Sequence, residues 1–588
     1  MSRRLATAGH EGCSTLPQWW RERCRDGSDR PALRHKRRGI WAGVTWSAYY
    51  EEARAIGLAL ADAGVQPGEV VSMLCENRPE WLFVDLGAQA MGFISHGMYP
   101  CSSSAQVEHA LRGAGTRAIV VEDAEQLGKV LAVRASCPHL RLIVVIEQRG
   151  LRGFADVQVI SYAELRSRGM ALVQKRGDEF ERRIDAGGGE QIACLAPTAG
   201  STGSVRLAAI AQRNLLQQGR MASEWLTVRA GDRSLSFMSL SHVFERVLSI
   251  VAPLATQCLV HFPESAATVQ NDLREVRPQF VFAPPRFWEK LHAQTDLFMH
   301  DAIPIARFAY RGAVGPGRPG LLRRAMLRHV REALGLQHVR MAISGAAPVA
   351  AELLSWYRSI GVPMLEAYGL AEASGFCAVV EPHGDCANDG LRPLAGVQLQ
   401  LAMNGEILLR GPSLHAGYWA AGASREAIDA EGWLHTGDFG VQAAGGGIRV
   451  RGRLHDRFEG PRGESITPAV FECALKLSPY VTDAMLIGDS RRYCTCLVVV
   501  DEDAVGKYAQ DHHIPYTDHA SLVARLEVVA LIGTQIDAAN ERLPVSERAQ
   551  RFRILARPDD DELTPSLRLR RHVVARNYAK LVDEMYAG

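Results

Sequence analysis

Pro197-Thr198-Ala199-Gly200-Ser201-Thr202-Gly203-Ser204-Val205-Arg206 follows directly on the apolar run Ile192-Ala193-Cys194-Leu195-Ala196. That run, with glycines on both sides, has the length and texture of a short buried strand. The stretch behind it carries two glycines and four hydroxyl side chains, with a cation at its far end. Glycines let a backbone approach an anion, and free N–H groups and hydroxyls then grip phosphate oxygens. No Gly-Lys-Ser/Thr closes the stretch, so it is not a Walker loop. Taken alone, it reads equally well as an ordinary Ser/Gly turn.

Outward from this loop the chain alternates between two periods. Trp46 to Ala63 reads as an amphipathic helix and Gly68 to Leu74 as a strand, followed by a helix over Pro79 to Met91. Ala118–Val121 and Leu142–Ile146 read as buried strands. Such alternation predicts an α/β fold with a parallel sheet under helices. The pattern resumes from 235 to about 380, with strands near Phe280–Phe282 and Val339–Ile343. Between roughly 395 and 450, short strands and glycine turns predict a β-rich subdomain, with Gly445-Gly446-Gly447 as a hairpin tip. Leu454 to Gly463 is polar and irregular, a plausible hinge. The expected division is therefore a large N-terminal domain over 1–452, a linker over 453–463 and a small mobile α/β domain over 464–588.

At 588 residues the chain exceeds one core. A net charge of +2 with dispersed Lys and Arg excludes a nucleic-acid binder. The basic runs Arg34 to Arg38 and Arg568 to His572 read as solvated faces or local sites. Twelve cysteines without metal or disulfide spacing predict buried thiols in a reducing compartment. The start has no apolar core of a signal peptide, and the longest apolar run, Val247 to Val260, contains Pro253 and is too short to span a bilayer. These features predict a soluble, cytoplasmic protein and leave peripheral membrane contact open.

Three further segments carry chemistry. Ser344-Gly345-Ala346-Ala347-Pro348 follows a strand, and its small side chains would let a flat ligand lie against the backbone. Tyr368-Gly369-Leu370-Ala371-Glu372 pairs an aromatic able to stack on a base with a carboxylate able to hold Mg²⁺. Gly432-Trp433-Leu434-His435-Thr436-Gly437-Asp438 is followed by Arg453, a carboxylate and a cation suited to ribose hydroxyls. Each alone is weak. Close packing or a capped turn explains any one of them.

In order, they resemble the AMP-forming acyl-CoA synthetases of the adenylate-forming superfamily. The family loop T-S-G-T-T-G-x-P-K-G corresponds to Thr198–Leu207, Y-G-x-T-E to Tyr368–Glu372, and G-W-x-x-T-G-D to Gly432–Asp438. The nearest resemblance is to long-chain fatty acyl-CoA synthetases, through Leu240–Arg246 (L-S-H-x-F-E-R), Pro284–Lys290, a helical insertion over about 293–335, and Glu562–Arg568. The resemblance implies ATP, Mg²⁺ and a fatty acid as ligands, with coenzyme A or a carrier-protein pantetheine as thiol acceptor. It implies that Thr198, Gly200, Ser201, Thr202 and Gly203 cradle phosphates, and that Thr202 and Glu372 serve the metal. Gly345, Ala346, Ala347, Tyr368 and Gly369 would flank adenine. Asp438 and Arg453 would hold ribose, and His242 would stand near the acyl carboxylate. His455 would be the hinge, and Gly463 and Glu464 would approach coenzyme A. The sequence departs from the family at Arg206 and Arg568, where lysines are usual, and at Ala371, where a threonine is usual. Gln212 replaces a histidine, while Asn214 is kept. The expected activity is a fatty acid–CoA ligase working with arginines as its cations. The alternative is a degenerate homologue that binds ligand, or runs only the thiol-transfer half.

Overall fold

Val70–Leu74 and Ile94–Met98 are buried along their whole length and Ile192–Pro197 along most of its length, so each is covered on both faces. They form the middle of a nine-stranded sheet and run parallel to one another. Thr116–Val121, Leu142–Val145 and Val159–Ser161 extend it in parallel on one side. On the other side Leu207–Ala211 pairs antiparallel with Ile192–Pro197, and Tyr418–Ala420 pairs antiparallel with Leu207–Ala211. The glycine-and-hydroxyl stretch therefore links two antiparallel strands at one end of a buried sheet. The computed structural model describes residues 12–198, 205–314, 320–381, 389–420, 423–425, 428–559, 562–564 and 569–587. Gly200, Ser201, Thr202, Gly203 and Arg568 lie outside the described residues.

Helix Trp46–Asp62 starts where Thr45 Oγ1 accepts the Ala48 N–H at 3.2 Å. Helix Pro79–Ala90 packs against it through Gly87, where a Cβ would meet the Ala53 carbonyl oxygen at 2.4 Å. A second sheet orders Phe280–Ala283, Met341–Gly345 and Met364–Leu370 in parallel, followed by antiparallel Gly375–Val379. The expected β-rich subdomain is a four-stranded antiparallel sheet of Gln398–Leu401, Glu406–Arg410, Leu434–Gln442 and Ile448–Arg453. The Gly445–Gly447 turn closes its last hairpin. The C-terminal sheet of Val481–Ile487, Cys494–Val500 and Ala549–Ile554 has its own core around Phe471, Leu486, Val498 and Ile532. The whole is a mixed α/β structure with a large N-terminal domain and a smaller C-terminal one.

Four expectations need correction. Leu454 to Gly463 is not irregular throughout: a 3₁₀ turn over Leu454–Asp456 leads into Phe458–Glu459, which pairs with Ser465–Ile466. Ser344 and Gly345 belong to their strand rather than to the following turn, and the helix beyond begins only at Ala351. Lys36, in the supposedly solvated basic run, is buried, because strand Pro31–Arg37 lies inside its sheet. Its Nζ meets Asp272 Oδ1 at 2.8 Å and Glu275 Oε2 at 2.7 Å. Among the described cysteines, Cys101 is exposed and Cys13 half-buried; the others are buried, and none of those described forms a disulfide.

A buried polar network ties the N-terminal helix to this core. Arg246 Nη2 lies 2.5 Å from Asp85 Oδ1 and donates to Ser95 Oγ at 2.6 Å. Gln89 donates to Asp85 at 2.9 Å and accepts from Gln212 at 3.2 Å, while Gln212 accepts the Leu16 N–H at 2.9 Å. Arg246→Ala would leave the Asp85 carboxylate buried without its counter-charge. It should destabilise the domain by about 3–5 kcal/mol, read as a fall in the urea midpoint.

Candidate active site

A side-chain hydrogen bond links two sheets here. Gly345 lies opposite Ala367 in the parallel register, so Tyr368 emerges beside the Gly345-Ala346-Ala347 segment. Ala346 adopts φ +68°, a left-handed conformation that costs a non-glycine residue energy. From the neighbouring strand, Tyr368 donates its hydroxyl to Asp438 Oδ2 at 2.7 Å. Asp438 pairs in register with Arg453 across the Leu434–Gln442 and Ile448–Arg453 hairpin. Arg453 Nη1 stands 3.2 Å from Asp438 Oδ1 and donates to the Thr436 carbonyl at 3.2 Å. Burial pushes the Asp438 carboxyl up, while Arg453 pulls it back. Burial and the Asp438 charge together hold the Tyr368 phenol well above its ordinary value.

A second group faces this one. Tyr418 donates its hydroxyl to Glu372 Oε1 at 3.0 Å. The Arg206 guanidinium carbon lies 3.8 Å from the centroid of the same ring. The ends of the loop are clasped, since Thr198 N–H donates to the Arg206 carbonyl at 2.8 Å and Arg206 N–H to Thr198 Oγ1 at 3.3 Å. Asn214 donates to the carbonyls of Pro412 and Leu414, at 2.9 and 2.8 Å, and so fixes the segment that delivers Tyr418. Gln218 holds the carbonyls of Ala373 and Phe376 on either side of the turn after Glu372. The His415 N–H donates to the Glu372 carbonyl at 2.8 Å, and burial holds its imidazole down to about 4. The neutral ring stands edge-on to Tyr418, with centroids 4.9 Å apart.

His242 caps the short helix Val243–Arg246, its Nδ1 accepting the Phe244 N–H at 3.3 Å. Phe244 stacks on Phe376 with centroids 4.6 Å apart. Gly369 lies on that pair, and a Cβ there would meet Phe244 at 2.7 Å and the Gly375 carbonyl oxygen at 2.0 Å. Packing in its own sheet thus also requires a glycine at this position.

The donor set suits a nucleotide. A carboxylate flanked by a guanidinium accepts a ribose diol. One carboxylate is also what Mg²⁺ usually takes from protein, with phosphate oxygens and water completing its shell.

Profiles of known families bear on this geometry. That of the AMP-binding enzymes matches residues 20–419, and that of the AMP-binding enzyme C-terminal domain matches residues 461–588. The chain belongs to the AMP-binding enzyme family. FadD15 of Mycobacterium bovis, named a long-chain-fatty-acid–CoA ligase, is 28% identical over 93% of this chain and 93% of its own length. The Drosophila melanogaster protein heimdall, with the same activity in its name, is 26% identical over 97% of this chain and 95% of its own. The solved adenylation domain of a carboxylate reductase from Mycobacterium chelonae has a TM-score of 0.75 at 19% identity, covering 98% of this chain and 91% of that one. At that identity the likeness is one of fold.

In this AMP-binding enzyme the remaining candidates follow Arg453 in the chain. His455 lies in the turn after Arg453, its Nε2 3.4 Å from Asp456 Oδ1. Gly463 and Glu464 close the small hairpin of the C-terminal domain, where Gly460 N–H donates to the Glu464 carbonyl at 2.7 Å. Tyr418 and Gln218 were not foreseen from sequence. No local signal in the sequence marks Tyr418, which reaches the site through strand pairing with Leu207–Ala211.

Glu245, beside the His242 cap, is buried and meets hydroxyls rather than a cation. Ser236 and Ser249 each donate to its Oε1 at 2.6 Å. Burial raises its carboxyl to about 7, against those hydrogen bonds. The native state therefore keeps a proton that the unfolded chain releases near its ordinary carboxylate value. Stability should fall as pH rises from about 4.5 to 7, by on the order of 3 kcal/mol. Glu245→Gln should flatten that limb in urea unfolding measured across the same range.

Proposed function

We propose that this AMP-binding enzyme activates a long-chain fatty acid with ATP and passes the acyl group to the thiol of coenzyme A. The acid's carboxylate oxygen attacks the α-phosphorus, the bond to the bridging oxygen breaks, and pyrophosphate leaves. The thiol then attacks the acyl carbon of the adenylate, releasing AMP and a proton. The observation that carries this reading is the pair of linked clusters, Tyr368–Asp438–Arg453 and Arg206–Tyr418–Glu372, at the end of the clasped 198–206 loop. The names of the relatives support the long-chain acid and coenzyme A.

In this reading Asp438 and Arg453 hold the ribose, and Tyr368 orients the Asp438 carboxylate while flanking the adenine with Gly345 to Ala347. Thr198, the residues of the loop and Arg206 take the β- and γ-phosphates. Mg²⁺, held by Glu372 with Thr202, would supply charge neutralisation at those phosphates. His242 stands toward the acyl carboxylate. Arg568 supplies the second cation of the adenylation step. The C-terminal domain turns about His455 between the halves, and Gly463 and Glu464 then face the coenzyme A arm. A cytoplasmic location goes with this activity; no described helix is long and apolar enough to cross a membrane.

The test is mass spectrometry of acyl-CoA formed from ATP, Mg²⁺, coenzyme A and fatty acids of graded length. Product rising with chain length supports the reading, and none with any acid overturns it. The Arg206–Tyr418 contact favours one second reading, in which that cation no longer reaches phosphate and only thiol transfer survives.

A further inference from the structure

The helical insertion joins Phe280–Ala283 to Met341–Gly345, the strand that ends at the candidate adenine segment. It consists of helices Pro285–Asp301, Pro304–Val314 and Leu321–Leu334, the third packed on the second. Each is anchored inward, by Trp288, Tyr310 and Leu327 respectively. Trp356 Nε1 donates to the Tyr310 hydroxyl at 2.9 Å.

The outward face is apolar. Phe298 and Ile303 are each 68% exposed, Ile305 78%, Phe308 82% and Leu321 84%. A single exposed leucine needs no explanation, but five large apolar side chains within one short stretch do. Ile305 and Phe308 stand one turn apart, and both point away from Tyr310, which lies about 200° around the helix from Phe308.

The charge of the same segment is one-sided. Residues 302–334 contain seven arginines, one glutamate and neither lysine nor aspartate. The whole chain carries only +2, so the remainder is net acidic. Arg324 and Arg328 are exposed, and Arg328 also holds Glu332 at 2.8 Å. Protruding aromatic and aliphatic side chains among arginines are the pattern of a segment that lies on a charged bilayer surface.

We propose that this insertion docks the enzyme on an anionic lipid surface, with Phe298, Ile303, Ile305 and Phe308 entering the headgroup region and the arginines meeting lipid phosphates. The inference rests on the long-chain reading for its purpose, since such acids partition into bilayers, but its observations are independent of activity.

The test is co-sedimentation of the full chain with vesicles of phosphatidylcholine, alone or mixed with phosphatidylglycerol. Binding should require the anionic lipid and weaken as salt rises. Ile305→Asp with Phe308→Asp should weaken it at least about tenfold, and Arg324→Glu with Arg328→Glu should reduce it as well. Both variants should still convert a water-soluble short acid at the rate of the parent chain. Absence of binding by the intact chain would overturn the proposal, as would undiminished binding by the Asp variant. A change from dimer to monomer in that variant, with vesicle binding unaltered, would assign the face to a second copy of the chain. Vesicle binding without acyl-CoA formation would overturn the proposed activity and leave docking intact; acyl-CoA formation without vesicle binding would do the reverse.

Discussion

Asp438→Asn should lower adenylate formation by about a hundredfold or more while the chain remains folded. Each ribose hydroxyl loses a charge-assisted hydrogen bond, worth about 1.5–3 kcal/mol apiece. The loss reaches further, because Asp438 also receives the Tyr368 hydroxyl at 2.7 Å and faces Arg453 at 3.2 Å. The amide can turn only one oxygen toward these donors, so Arg453 is left half-buried without its counter-charge. Tyr368→Phe should be milder, about fivefold, since it removes one neutral donor and keeps the ring. The check is the ATP dependence of adenylate formation in both variants, with circular dichroism to confirm folding. Burial raises the Asp438 carboxyl, so nucleotide binding by the parent chain should weaken on acidification at a higher pH than an ordinary carboxylate would set. Asp438→Asn should abolish that limb.

The Tyr368–Asp438–Arg453 cluster was legible in the sequence because its three members sit in short motifs that occur in a fixed order. The clasp around the loop was half legible. An apolar run before glycines and hydroxyls marks a buried strand and its turn, but nothing local says that Tyr418 returns to the same place. Tyr418 arrives only because Tyr418–Ala420 pairs with Leu207–Ala211, a long-range strand partnership that no local period encodes. Lys36 was misread for the same reason. A basic run looks solvated until the fold brings Asp272 and Glu275 onto its one inward side chain. The packing role of Gly369 was not legible, because it comes in part from Phe244, a residue far away in sequence.

Arg206→Ala should reduce adenylation by about 10²–10³-fold, the usual cost of removing one preorganised group that stabilises developing charge. Thioester formation from acyl-AMP supplied directly should change little, because pyrophosphate has already left. Arg206→Lys should recover most of the loss, since lysine brings a compact charge to the same loop end. Tyr418→Leu should cost less than Arg206→Ala, about tenfold, because a desolvated cation–π contact contributes up to about 2 kcal/mol. Tyr418→Phe keeps the stack on Arg206 and frees Glu372, so its effect should appear in the Mg²⁺ dependence. If Arg206→Ala lowers both halves equally, the guanidinium supports the fold around Tyr418 and is not a phosphate contact.

The central claim is that a chain with arginines at positions 206 and 568 still breaks the bond between the α- and β-phosphates of ATP. Pyrophosphate release with ATP, Mg²⁺ and a series of fatty acids, in the absence of any thiol, measures that step alone. The account predicts acid-dependent release that is greatest with long chains and is strongly reduced by Asp438→Asn and Arg206→Ala. No release with any acid, from a protein that still converts supplied acyl-AMP and coenzyme A to thioester, would contradict it.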